Sequence, residues 1–597
     1  MFNTSRFNPE YLKFKSPEIF TIAEKAKSLD ELRTSLSLLA QNIMFEAYDD
    51  CDALTVSSMI RVRDCTEMMV RLMTRRSEEK AKFSVTQAIM DIAHAKARPD
   101  LTPAFFADMN YLFQGLHGGG PESSLADLHT IPYSSQGREA AVERSMQLDE
   151  LSDAVKLKTK KYVSGLESES IKKREKRRQK ILEELGNTVE HWFDWRWQVN
   201  NVIRDAAPIS QMLTLSEEER KAISVTRENR FPFGITPYYL SLMDDESEAV
   251  QDGAIRAQVI PPKSYIEKIT EAKRFEVCLD FMRESDTSPF DLITRRYPAI
   301  CIFKPYNTCP QICVYCQRNW EIKDAMEPGA MASEGQIEEA INWIREHPSI
   351  CEVLITGGDP LSMDDEAIEK IMGKIANIPS VERIRIGTRT LVTLPMRITN
   401  DLVDILRRYR KAGKRQIAVV THVQSPYEIT PDMVAAVNRL RKKGIPVYNQ
   451  LVFTFFVSRR FEAANLRHLL SLIGIDPYYT FNTMGKEETL EYRVPIARLL
   501  QEQKEEARLL PGLSRTDESV YNIPGFGKNY LKANNHRELI SVLPNGSRLY
   551  EFHPWEKNII NITKTYLHKD VPILDYLLRL DAIGENISEY ETIRYYY

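Results

Sequence analysis

Cys309, Cys313 and Cys316 stand in the run Tyr306-Asn-Thr-Cys-Pro-Gln-Ile-Cys-Val-Tyr-Cys316, spaced C-x3-C-x2-C. Three thiolates can hold three irons of a four-iron cluster and leave the fourth without a protein ligand. An open position is what substrate-binding metal chemistry needs, whereas a structural site is normally closed. Tyr315, just before the third cysteine, offers an aromatic face at such a cluster's edge. The same residues would serve a zinc knuckle or lie as plain buried thiols. Zinc calls for a fourth Cys or His nearby, and none follows at short spacing.

The elements that must position these cysteines begin at Ile300. Apolar or β-branched runs recur at 299–303, 352–356, 381–387, 416–423, 446–455 and 478–483. Helical patterns lie between them, at 365–376, 400–411, 431–443 and 460–472. After the first gap the strands start about thirty residues apart, the length of a βαβ unit. Such units with right-handed crossovers predict an α/β fold, an open partial (βα)6 barrel. Catalytic groups of a barrel sit at the C-terminal ends of its strands. The cysteines follow the first strand, Gly357-Gly-Asp-Pro360 the second, Thr388-Arg389 the third and Thr421-His422 the fourth, while Asn449-Gln450 lies in the fifth. Gly357 and Gly358 permit close backbone approach and Asp359 adds a carboxylate.

Around the barrel (291–515), residues 1–185 read as a helical extension, 186–290 as a helical lead-in and 516–597 as a loop, a hairpin and a helical tail. His117-Gly-Gly-Gly-Pro121 reads as a linker, since no Lys-Ser/Thr follows to make a phosphate loop. The charged run at 172–178 is flanked by acidic residues and reads as a solvated helix. Asn545-Gly546 signals a type I′ turn. At 597 residues and a net charge of −4, the chain is large enough for several cores and ill-suited to nonspecific nucleic-acid or anionic-membrane binding. No apolar stretch is long enough to span a bilayer, and the opening Met1-Phe-Asn-Thr-Ser-Arg lacks the charged-then-apolar pattern expected of a signal peptide. Eight cysteines, three of them clustered, point to a reducing compartment, the cytoplasm by default.

The cysteine run resembles that of the radical S-adenosylmethionine (SAM) enzymes. A fuller match runs from about 192 to 557 and takes in Trp195-Arg-Trp-Gln198, Gly234-Ile-Thr-Pro-Tyr-Tyr-Leu-Ser-Leu242, Arg296-Tyr-Pro298, Arg385-Ile-Gly-Thr-Arg389, Glu428-Ile-Thr430 and Asn449-Gln450. That series resembles the lysine 2,3-aminomutase family. The resemblance implies a radical SAM barrel holding a 4Fe-4S cluster on Cys309, Cys313 and Cys316, with SAM on the open iron and pyridoxal 5′-phosphate (PLP). It implies Gly357, Gly358, Asp359 and His422 near SAM, Arg296 at the PLP phosphate, Gln450 in the cofactor pocket and Arg389 among the cofactor-binding residues. Arg318 would pair with the substrate α-carboxylate, and Lys528, in Pro524-Gly-Phe-Gly-Lys528, would form the Schiff base. The implied activity is an isomerase moving an amino group from the α- to the β-carbon of an amino acid. An electron donor such as flavodoxin or ferredoxin would serve it.

The departures bear on substrate and cofactor. The family's lysine loop is one residue longer and lacks a Phe526, and Phe481 replaces a tyrosine at the PLP phosphate. Where the lysine enzymes hold the distal ammonium with two aspartates, this chain has Met484 and Asn522. A buried ammonium without a carboxylate is costly, so glutamate or another amino acid is favoured over lysine. In an extended segment Lys486 shares a face with Met484 and would meet a side-chain carboxylate. No Cys follows Cys351, so a homo-oligomer would form without the family's zinc. The rival readings are a PLP-free radical SAM enzyme of this lineage and a non-catalytic iron–sulfur scaffold.

Overall fold

The computed structural model describes residues 3–49, 55–123, 125, 136–245, 252–483, 486–553 and 565–597. Two compact units emerge, and neither is one continuous stretch of chain. The first comprises Met1–Lys158, Val494–Ala507 and Lys528–Tyr597; the second comprises Thr159–Arg493 and Arg508–Gly527.

The second unit is the barrel. Strand β1 (Ile293–Tyr297) pairs antiparallel with β2 (Ile300–Tyr306). From β2 the sheet runs in chain order through β3 (Glu352–Gly357), β4 (Arg383–Gly387), β5 (Gln416–Thr421), β6 (Val447–Phe453), β7 (Ile475–Asn482) and β8 (Glu518–Ile523), each parallel to the last. That is one parallel strand more than the sequence pattern suggests. The chain between β7 and β8 carries the helix Ile496–Glu505, which belongs to the first unit, so the thirty-residue spacing fails there.

Local sequence explains the βα units. The helix Asp365–Ala376 buries Ile368, Ile371, Met372 and Ile375, one stripe at helical spacing. The helix Pro431–Lys442 starts with Pro at its first turn, and the Thr430 side chain accepts from the Met433 N–H as its cap. In β2 the period of two buries Cys301, Phe303 and Pro305 and leaves Ile302, Lys304 and Tyr306 less buried, on the opposite, lumen-side face. At the strands' N-terminal end Arg385 bonds the Tyr478 hydroxyl of β7 at 2.8 Å across the lumen and Glu352 of the neighbouring β3 at 3.2 Å. The opposite, C-terminal end carries the motifs.

The charged run of 172–178 lies in the helix Ser168–Glu184 of the barrel unit. Two of its arginines are buried: Arg174 donates to the Gly165 carbonyl at 2.6 Å, and Arg177 bonds the Ser241 carbonyl and Asp244.

In the first unit the helix Pro103–Leu116 is buried nearly all round, as a central helix must be. The hairpin forms as β10 (Arg537–Val542) and β11 (Arg548–Phe552), once the short strand β9 (Gly527–Tyr530) is counted. Its turn is not type I′. Gly546 has φ +80° but Asn545 is not left-handed, and the Gly546 N–H donates to the Leu543 carbonyl. Pro544 pins the first turn position to negative φ, giving a type I turn closed by a left-handed glycine. The expected helical tail also contains a strand, β12 (Tyr566–Lys569) on β11, before the helix Ile573–Ala582; four residues were too few to betray it.

Asp108 fastens this unit. Its carboxylate takes Arg548 at 3.1 Å and Arg594 at 2.6 Å, all three fully buried. Removing the charge leaves two buried guanidinium groups short of an anion. Asp108→Asn should therefore cost about 3–5 kcal/mol, read as an early urea transition of this unit.

Candidate functional site

The cysteine loop follows β2. Gly358 is a glycine because a Cβ there would lie 2.0 Å from the Thr308 carbonyl oxygen; Gly357, at φ +122°, would bring one to 2.8 Å of the Tyr306 oxygen. The neighbour these glycines admit is thus the cysteine loop itself. The Asp359 carboxylate is likewise spent on the chain. It accepts from the Leu361 and Arg389 N–H groups at 3.1 and 2.8 Å and from the Thr388 hydroxyl at 2.6 Å. It thereby ties the end of β3 to the end of β4.

Burial, with Asp359 and the neighbouring thiols, pushes the Cys309 thiol well above its ordinary range. Burial also raises Cys313, against the Arg389 cation. Thiolates in such surroundings call for a metal. The donor set, three cysteine thiols on one loop, fits an iron–sulfur cluster.

Beside the loop lies a buried network. Arg389 donates to Cys313 Sγ at 3.0 Å, to the Tyr239 hydroxyl at 3.0 Å and to Glu428 at 2.8 Å. Glu428 is fully buried and also accepts from Tyr239, from the Gln258 amide and from the Gln424 N–H. The Tyr315 hydroxyl lies 2.9 Å from Gln258 Oε1 and 2.8 Å from His422 Nε2. His422 Nδ1 faces the Gln450 carbonyl at 2.6 Å. A carbonyl only accepts, so Nδ1 carries the proton and Nε2 is the acceptor. Burial first, then the Arg389 cation, pushes the His422 pKa down to about 4.

A second cluster surrounds Arg318. Its guanidinium bonds both Glu284 and Glu321. Lys304, on the lumen-side face of β2, reaches the same Glu284 oxygen at 3.2 Å and Glu321 at 3.8 Å. Burial opposes the Glu284 charge, but Arg318 and Lys304 hold its pKa down at about 2. Arg296 donates to the Met282 carbonyl at 2.7 Å, and its buried Nη1 has no hydrogen-bond partner. An orphaned guanidinium nitrogen fits a phosphate oxygen. The Pro524–Gly527 turn approaches this segment, because a Cβ at Gly525 would meet Arg283 Cδ at 3.1 Å. Lys528 stands at the second position of β9 rather than in an open loop, and it starts the last segment of the first unit. Asn522 lies in β8, Phe481 in β7 and Gln450 in β6. Lys486 is buried against the Cys316 carbonyl, Asn319 and Glu488. Met484 lies outside the described residues.

The sequence reading missed Glu284, Lys304 and Glu321, and it gave Tyr239 and Gln258 no role. The two-residue period of β2 would have marked Lys304 as a lumen-side residue, because Cys301 and Phe303 flank the opposite face.

A sequence profile of the Radical SAM superfamily matches residues 303–463. An uncharacterized KamA family protein of Methanocaldococcus jannaschii is 43% identical over 97% of this chain and 96% of its own. The chain belongs to the KamA family. A glutamate 2,3-aminomutase of Clostridioides difficile is 34% identical, covering 60% of this chain and 80% of that one. An L-lysine 2,3-aminomutase of Bacillus subtilis is 31% identical, covering 56% and 66%. This KamA-family chain is an enzyme, a radical SAM isomerase of the aminomutase kind. The expected cofactors, a 4Fe-4S cluster, SAM and PLP, are those of the family. No described helix is long and apolar enough to cross a membrane.

The neutral His422 has a consequence for stability. Unfolded histidine takes a proton below about pH 6.5, whereas this one stays neutral to about 4, so acid favours unfolding across that window. Stability should rise with pH between those values, by up to about 1.4 kcal/mol per unit from this group. His422→Gln should flatten that slope in urea unfolding followed across the window.

Proposed function

We propose that this KamA-family enzyme is an amino-acid 2,3-aminomutase whose substrate carries an anionic or neutral side chain, glutamate foremost, rather than the ammonium of lysine. The observation that carries this reading is the pair of cations, Arg318 and Lys304, on one oxygen of Glu284. The carboxylates there, Glu284 and Glu321, already serve these cations, and position 522 is Asn. A distal ammonium would have to take one of those carboxylates from a cation. A substrate dicarboxylate instead finds cations to bind, α-carboxylate to Arg318 and side-chain carboxylate to Lys304.

When bound, the cluster and SAM supply the hydrogen-abstracting radical, and PLP supplies the π-system through which nitrogen migrates. Arg318 orients the substrate by its carboxylate beside the cysteine loop. The free Nη1 of Arg296 donates to the cofactor phosphate and Gln450 lines its pocket. The Tyr315–His422 pair stays uncharged at the cluster's edge. A flavodoxin- or ferredoxin-like donor supplies the electron in the cytoplasm, and any homo-oligomer forms without zinc. The placement of Lys528 in a strand favours one second reading, a PLP-free radical enzyme on the same barrel.

The test is anaerobic reconstitution with SAM, PLP, a reductant and a panel of amino acids, with β-amino acids read by chromatography. Glutamate, or another amino acid but not lysine, should convert, and borohydride should fix PLP on Lys528. Conversion of lysine would discard the specificity argument. SAM cleavage without any β-amino acid or labelled lysine would favour the second reading. On the first reading, Lys304→Met should cut kcat/KM for glutamate by about a hundredfold, a loss of about 2.7 kcal/mol. Uncoupled SAM cleavage by the variant should remain within about twofold of wild type.

A further inference from the structure

We infer that Lys486 is a positioning residue of the cluster: it clamps the cysteine loop and makes the cluster easier to reduce. This rests on the radical SAM reading of Cys309, Cys313 and Cys316 and uses the Lys486 ammonium differently from the substrate contact that the resemblance suggests.

Lys486 is 4% exposed. Its ammonium donates to the carbonyl of Cys316 at 2.8 Å and to Asn319 Oδ1 at 2.9 Å, with Glu488 as counter-ion at 3.4 Å. Asn319 passes the contact on. Its amide donates to the Val314 carbonyl at 2.9 Å, to the Tyr265 hydroxyl at 2.8 Å and, more weakly, to the Cys313 carbonyl at 3.4 Å. Backbone oxygens at 313, 314 and 316 therefore reach one buried cation directly or through one amide. Those residues bracket the second and third cysteines, so the lysine holds the loop's shape between two cluster ligands.

The same charge acts on the iron. Reduction adds one electron to a cluster already negative through its thiolates and sulfides. A cation fixed nearby in poorly solvated surroundings stabilises the added charge, because buried charges are little screened. Glu488 partly cancels that field, so the two residues make opposite predictions. Neutralising Lys486 disfavours the reduced cluster, and neutralising Glu488 favours it.

The experiment is an EPR-monitored redox titration of the reconstituted full-length protein without SAM. Lys486→Met should move the equilibrium toward the oxidised cluster by about tenfold, about 59 mV lower for a one-electron couple. Lys486→Arg should stay near wild type, and Glu488→Gln should shift the other way. A Lys486→Met protein that loads iron normally and titrates at the wild-type midpoint would overturn the inference. If Lys486→Met cannot hold iron, Glu488→Gln decides alone, and a wild-type midpoint there overturns it too. A wild-type protein with no reduced-cluster signal would instead sink the iron–sulfur reading on which the inference rests.

Discussion

The catalytic end of the barrel depends on one buried ion pair, Arg389 with Glu428. A lone charge in that position would cost several kcal/mol, so each member commits the other. Arg389 comes from the end of β4 and Glu428 from beyond β5, so the pair joins neighbouring strand ends. Through Arg389 it reaches a cluster cysteine, and through Gln258 it reaches Tyr315 and the neutral His422. The polar groups around the cysteine loop are therefore set by one charge balance rather than by separate contacts.

Charge balance also organises the cluster around Arg318. Arg318, Lys304, Glu284 and Glu321 make two cations and two anions in a partly buried space. Such a quartet is neutral as it stands, each cation lying between two carboxylates. The cost of desolvating the cations is met within the fold by these carboxylates. The glycines after β3 let two backbone segments meet at distances no side chain would allow, which fixes the loop that carries the cysteines.

The repeated βα pattern was legible because each unit obeys local rules: apolar strands, helical stripes, capping residues at the expected places. It failed at β8, where the chain leaves the barrel to build part of another unit before returning. It failed also at β12, a four-residue strand that depends on its partner β11 for definition. At the hairpin, Asn-Gly argued for one turn type, but the preceding Pro544 decided for another. Lys304 escaped notice for a different reason. A single lysine says nothing until strand parity and a shared carboxylate give it a direction and a partner.

The sequence by itself determined the chemistry: three cysteines at C-x3-C-x2-C spacing, the run of motifs after successive strands and hence the family. These depend on residue type and short spacing, which the chain carries without folding. Tertiary structure alone decided how the chain divides between two units, which carboxylates neutralise Arg318 and Lys304, and where the Lys486 ammonium is spent. Those outcomes rest largely on contacts between residues tens to hundreds of positions apart, such as Glu284 with Arg318 and Lys486 with the Cys316 carbonyl, where burial makes an unpaired charge expensive and so selects the partner.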